Sequence, residues 1–323
     1  MVNRKWMPLA ALALIAFSAA QVEAGPLQRA NVQRTEARID RPGDYEFAFA
    51  HGGGERRYLV HVPKGYDPTR PSPMVLALHG GGGGMRYQAN DANYGLISAS
   101  ERHGFIAVFP NGYAKNRLGL FATWNAGACC GPARDAKIDD VGFLKSVIER
   151  MQRQTSIDAN RIYSIGMSNG AMMSYRLACE IPEIIRGVMA VAGTDNTLQC
   201  TPEKPVPILH VHALNDDHVL YDGGAGENAF RDRGAVTDFA SVAATVSKWV
   251  ELNSAQPKPA RVLAVDGAWC DLFAAKAKGA PVKLCVTERG GHSWPGGTKS
   301  RADEPPSQAI NANDLMWAFF SGL

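Results

Sequence analysis

From residue 45 onward the chain alternates two patterns that few folds accommodate together: short continuous apolar runs, and longer stretches with apolar residues at helical spacing. The runs are "YEFAFA" (45–50), "RYLVHV" (57–62), "MVLALH" (74–79), "FIAVFP" (105–110), "IYSIG" (162–166), "GVMAVAG" (187–193) and "ILHVHA" (208–213). A strand with one wet face alternates polar and apolar residues, so continuous runs predict strands covered on both faces. Helices are predicted at 86–102, 138–154, 169–180 and 236–252. In the last, Val236, Phe239, Ala243, Val246 and Val250 recur at steps of three and four and form one apolar stripe. Two more strands (261–266 and 282–288) lead to a closing helix capped by Ser307 and ending in Trp317, Phe319 and Phe320. Antiparallel strands followed by strand–helix repeats predict an α/β fold, a mostly parallel central sheet with helices on both faces. The 323 residues show no internal repeat, low-complexity tract or linker, so one domain is expected.

The first residues, MVNRKWMPLAALALIAFSAAQVEAG, have a different logic. Arg4 and Lys5 precede an apolar stretch from Pro8 to Ala20, and Val22-Glu23-Ala24 offers small residues at a cleavage site. The apolar stretch is too short to cross a bilayer and stay there. Residues 1–24 therefore read as a signal peptide and 25–323 as the mature domain, secreted or periplasmic. A formal charge of +3 gives no reason to expect nucleic acid as a partner, and nothing points to a membrane. The six cysteines, at 129, 130, 179, 200, 270 and 285, suit disulfides in an oxidising compartment. Cys270 and Cys285 flank a strand–turn–strand, and Cys179 and Cys200 flank the strand after the 169–180 helix, so these are the preferred pairs. Cys129 and Cys130 are left as a vicinal bridge or as free thiols.

Chemistry enters at "YSIGMSNGAMM" (163–173), where Gly166-Met167-Ser168-Asn169-Gly170 joins a strand to a helix. Gly-x-Ser-x-Gly in that setting is the pattern of a nucleophile elbow, a sharp turn that lifts a serine hydroxyl above the sheet. A serine needs a base, and the base an orienting carboxylate, each following a later strand. "ILHVHALNDDHVLYDGG" offers Asp216 first, with Asp217 and Asp222 as alternatives, and "VTERGGHSWPGG" offers His292. "LALHGGGGGM" places Gly80 to Gly84 after a strand, where Gly80 or Gly81 would join the N–H of Asn169 in an oxyanion hole. The glycine run lacks the Lys-Ser/Thr of a phosphate loop. His210-x-His212 shares one face of a strand, but no further cluster with ligand spacing accompanies it, and packing is the expected role. Neither a metal nor a cofactor is expected.

The motifs "LHGGGGG", "TWNAGACCG", "DDVGFL", "GMSNGAMM", "DDHVLYDGG" and "GGHSWPGG" occur in the order found in one group of enzymes. From about residue 45 to its end the chain resembles polyhydroxybutyrate-depolymerase-like and feruloyl-esterase-like secreted α/β hydrolases. The resemblance implies a Ser168–Asp216–His292 triad, an oxyanion hole near Gly81 and Asn169, and a substrate cleft lined by Trp124 and Trp294. It departs from the group at "HALNDDHVLY", which puts Asn215, Asp217 and His218 around the acid, and in the basic insertion "YAKNRLGLFATW". Arg134, Lys137, Arg231, Arg233, Lys299 and Arg301 lie in other loops and would ring the cleft if the substrate is anionic. The expected function is hydrolysis of carboxylic esters in a soluble polyester, oligoester or hydroxycinnamate. The alternatives are amide hydrolysis in an anionic polymer such as poly(aspartic acid), as in related hydrolases, and a non-catalytic extracellular binding module.

Overall fold

The computed structural model describes residues 32–33, 37–116, 118–229, 237–298 and 304–323. The signal-peptide reading of 1–24 lies outside them. An eleven-stranded sheet runs through the molecule in the order β1-β2-β3-β5-β4-β6-β7-β8-β11-β10-β9. Its strands are β1 (Val32–Gln33), β2 (Gly43–His51), β3 (Gly54–Val62), β4 (Ser72–Leu78), β5 (Ile106–Pro110), β6 (Ile157–Met167), β7 (Gly187–Val191), β8 (Ile208–Ala213), β9 (Ala260–Val265), β10 (Ala268–Phe273) and β11 (Val282–Thr287). β2, β3 and β5 pair antiparallel, as do β9, β10 and β11. From β5 through β4, β6, β7 and β8 to β11 every neighbour is parallel.

The continuous apolar runs follow from this layering. In β4, Met74, Leu76 and Leu78 join one buried cluster while Val75 and Ala77 join the other, because successive strand residues face opposite sides. After β5 comes the short α4 (Gly131–Asp135), and the first side of the sheet is covered by α5 (Asp140–Gln154), α6 (Asn169–Glu180) and α7 (Val242–Leu252). The second is covered by α3 (Leu96–His103) and α8 (Ala312–Phe320). With helices on both faces, no residue of the central strands needs to be polar for water.

Several boundaries differ from the expectation. The 86–102 segment breaks into α1 (Met85–Gln88), α2 (Asp91–Tyr94) and α3: Asn90 caps a new start at α2 by accepting the Ala92 N–H, and Gly95, at a left-handed φ of 66°, separates α2 from α3. α7 starts six residues later than its stripe suggested, where Ser241 caps it by accepting from the N–H of Ala244 at 3.0 Å. Phe239 is buried ahead of that helix, and Val236 lies outside the described residues. The cap of α8 is Asn311, not Ser307, since its side chain accepts from the N–H groups of Asn313 and Asp314. Cysteines pair as 179–200, 270–285 and 129–130, so the vicinal pair is bridged rather than free.

Candidate active site

All three expected catalytic side chains lie at the C-terminal edge of the parallel strands. Ser168 follows β6, Asp216 follows β8 and His292 follows β11, and the sheet order β6-β7-β8-β11 sets these strands side by side. At Ser168 the chain turns with φ 56° and ψ −121°, a left-handed conformation that side chains other than glycine rarely adopt. Two contacts enforce it. A Cβ on Gly166 would lie 2.3 Å from the Gly170 backbone, and one on Gly170 would lie 2.3 Å from the Leu78 carbonyl. Only glycines let α6 close this tightly on β6 and on the end of β4, and the serine between them is pushed out. Its N–H donates to the Val191 carbonyl of β7 at 2.8 Å, fixing the elbow to the sheet.

His292 is buried, and its Nδ1 lies 2.9 and 3.0 Å from the two oxygens of Asp216. A carboxylate only accepts, so Nδ1 carries the proton and Nε2 is left as the base. The turn after β8 holds Asp216 firmly: its Oδ1 accepts from the N–H groups of His218 and Val219, both at 2.9 Å. Burial raises this carboxyl, but the charge and hydrogen bond of His292, with His212 and the His218 N–H, outweigh it and bring the pKa to about 2. Asp217 is turned away and joins His218 Nδ1 (2.7 Å) and Asn228 (2.6 Å), while Asp222 is exposed. In this conformation Ser168 Oγ is not hydrogen-bonded to His292; such contacts commonly tighten only when substrate arrives.

The glycine loop packs on the elbow. A Cβ on Gly80 would touch that of Ser168 at 3.5 Å, and one on Gly81 would touch that of Asn169 at 3.5 Å. His79, not singled out from the sequence, orients this loop. Its Nε2 accepts the Gly112 N–H at 2.9 Å, so Nδ1 is protonated and donates to the Gly80 carbonyl at 2.9 Å. A trans peptide directs its N–H opposite to its C=O, so this bond turns the Gly81 N–H away from His79. Asn169 is buried and bridges to Trp124, accepting from its N–H at 2.7 Å and donating to its carbonyl at 3.0 Å.

The two tryptophans do not line an open cleft. Trp124 and Trp294 have no exposed surface; the first donates from its indole to the His79 carbonyl (2.9 Å) and the second to Asn313 (3.2 Å). Both brace the site from behind, because an indole N–H buried in a core must find an acceptor. Of the basic residues, Arg134 is held by Asp135 at 2.7 Å, Lys137 is exposed, and Arg231, Arg233, Lys299 and Arg301 lie outside the described residues.

Behind the acid lies a buried polar chain. His212 Nε2 donates to the Val219 carbonyl at 2.8 Å, so its Nδ1 accepts from His210 Nε2 at 3.1 Å. His210 Nδ1 then accepts from the Tyr175 hydroxyl at 2.7 Å. One tautomer of each neutral imidazole satisfies every atom, linking α6 to the Asp216 turn. Asp216, His218 and His292 also bring three donor atoms within 4.8 Å of one another. The two imidazoles, however, are parallel to within 10°, so their in-plane lone pairs do not converge on one ion.

Strand order, elbow and His–Asp pair together decide the class. The chain has the α/β-hydrolase fold. Comparison with known proteins agrees: the pattern of the Phospholipase/Carboxylesterase family matches residues 134–229 of this chain. The feruloyl esterase B of Piromyces equi is 26% identical over 245 residues, 74% of this chain and 42% of that protein. The chain thus spans less than half of that relative's length. A putative esterase, NocK, of Nocardia uniformis subsp. tsuyamanensis is 29% identical over 261 residues, 76% of this chain and 72% of that one. Among solved structures, an acetyl xylan esterase from Aspergillus awamori superposes with a TM-score of 0.55 at 13% identity, over 83% of this chain and 94% of that one. That likeness is one of fold alone.

Proposed function

We propose that this α/β hydrolase is an exported serine hydrolase that cleaves carboxylic esters. The observation that carries the reading is the Asp216–His292 pair, 2.9 Å apart, on the sheet edge that also bears Ser168 on its elbow. Ser168 Oγ attacks the ester carbonyl carbon as its proton passes to His292 Nε2. The N–H groups of Gly81 and Asn169 receive the oxyanion, with Gly80 shaping the loop. The alcohol leaves with the proton from His292, and water then repeats the sequence to free the acid. Asp216 keeps Nδ1 protonated throughout. The three disulfides support export, as such bonds persist in oxidising compartments. The named relatives are a feruloyl esterase and a putative esterase, which supports an ester over a non-catalytic role.

The amide reading on an anionic polymer is second, favoured by the exposed Lys137. A fluorophosphonate probe tests the mechanism: labelling of the wild type and none of Ser168→Ala is expected, and an unlabelled folded wild type refutes it. Methyl ferulate, hydroxybutyrate oligomers and poly(aspartate), assayed at low and high salt, then divide the substrates. Turnover of poly(aspartate) alone, suppressed by salt, would replace the ester reading with the amide one.

A further inference from the structure

A cleft of about 1090 Å³ opens beside the oxyanion loop. Gly82, Gly83 and Gly84 form one wall, so it begins one residue past Gly81, a Cα step of about 3.8 Å. Ser168, Asp216 and His292 do not line it. More of the lining comes from loop residues 111–116 and 118–121, most of them in the basic insertion that separates this chain from the pattern it resembles.

That loop presents apolar groups to water. Leu118, Leu120 and Phe121 are 80%, 52% and 71% exposed, and all three line the cleft. Large apolar side chains gathered at one exposed place mark binding surfaces more often than chance. The loop is also built to hold them there. Asn116 donates to the Leu120 carbonyl at 2.6 Å and accepts its N–H at 3.1 Å, while Asn111 donates to the Gly119 carbonyl at 3.0 Å. Phe121 itself sits at a left-handed φ of 58°.

The charges of the cleft are sorted. Arg56 is paired with Asp140 at 2.7 Å, Arg57 with Glu55 at 2.8 Å, and Arg86 with the buried Glu46. Asp139 caps α5 by accepting the Gly142 N–H at 2.8 Å. Lys115 and Lys137 line the same cleft, are exposed, and have no ion-pair partner among the described residues. The lining therefore offers apolar surface and two uncommitted cations, with its acids already engaged.

We propose that this cleft is the subsite for the part of an ester substrate remote from the scissile bond, and that it takes an apolar chain or ring bearing a carboxylate. The apolar body packs on Leu118, Leu120 and Phe121, and the carboxylate pairs with Lys115 and Lys137. The assignment of the ligand as an ester rests on the function proposed above. Contacts this far from the reacting carbonyl convert binding of the distal group into orientation of the ester.

Dodecanedioate, an inert chain with a carboxylate at each end, tests the site without turnover. Calorimetric titration into Ser168→Ala is expected to show binding that weakens roughly tenfold or more in Ser168→Ala/Lys115→Glu/Lys137→Glu, and similarly with Leu118→Ser/Phe121→Ser. No binding, or equal affinity after charge reversal, overturns the subsite. With Ser168 intact, the p-nitrophenyl monoester of dodecanedioic acid should have a lower KM than p-nitrophenyl dodecanoate. Lys115→Glu/Lys137→Glu should reverse that order at low salt, and high salt should bring the two together. An unchanged order overturns the proposal. Intact dodecanedioate binding with no hydrolysis of any ester by the wild type would instead refute the esterase reading and leave the subsite standing.

Discussion

The imidazole of His218 lies flat on that of His292, ring centroids 4.4 Å apart and planes within 10°. Asp217 holds His218 Nδ1 at 2.7 Å, so a second His–Asp pair is stacked on the first. Burial, then the nearby His292 charge, lower the His218 pKa despite Asp217, which keeps the stacked ring neutral near pH 7. If His292 acts as proposed, His218 is its positioning residue, the stacked ring that would confine the imidazole to one plane. His218→Ala is expected to lower kcat about tenfold with little change in KM, through lost orientation. His218→Phe, which keeps a flat ring, should recover most of it. An Ala variant with wild-type kcat, or a Phe variant no better than Ala, would sink this role.

Asp216 remains a carboxylate down to about pH 2. Its ionisation therefore does not limit activity in the range where esterases are assayed, and an acid limb above pH 4 belongs to another group. Asp216→Asn keeps the shape but donates toward His292 Nδ1, favouring the wrong tautomer. A loss of about 10⁴ in kcat is expected, by analogy with the serine protease triad. Stopped assays of an ester at pH 7 measure it, and a loss below tenfold would move the orienting role to another residue.

His79 is expected to act through the peptide it holds. In His79→Ala the Gly80 carbonyl loses its 2.9 Å imidazole partner and keeps the Gly83 N–H at 3.0 Å, so the Gly80–Gly81 peptide is held by one bond instead of two. Loss of one aligned oxyanion donor costs about 10²–10³ in kcat. Steady-state kinetics should show a fall in kcat of up to that size, with KM nearly unchanged. Far-UV circular dichroism separates it from unfolding, and unchanged kcat in a folded variant would refute it.

The buried histidines make the fold acid-sensitive. Burial holds His210 well below the ordinary imidazole pKa, with His212 adding to it, and burial also lowers His212 against the Asp216 charge. In the unfolded chain both take up protons near pH 6.5. Below that pH the unfolded state binds more protons than the native one, so stability falls as pH falls. Urea midpoints should be flat from pH 8 to 7 and decline from about 6.5 to 5. His210→Gln should start lower but decline less steeply; an equal slope would remove His210 from the account.

The strand runs, the helix after Ser168 and the order Ser168, Asp216, His292 were legible in the sequence, because period and spacing are local properties that tertiary contacts here reinforce. α6 begins and ends where the sequence predicts, at 169–180. Caps were less legible: Ser307 and Asn311 are both good cap residues, and only packing of α8 against β8 and α3 decides between them. "DD" at 216–217 left the acid open, since either carboxylate can follow a strand; the turn that bonds Asp216 through two backbone N–H groups turned Asp217 the other way. Trp124 and Trp294 look alike in sequence whether they face a substrate or a core, and full burial behind the site is a result of three dimensions. So is the stack of His218 on His292, 74 positions apart in the chain, which no periodicity connects. Local patterning determined the fold class of this protein and its candidate triad; long-range packing decided which groups touch those residues and which surface lies open beside them.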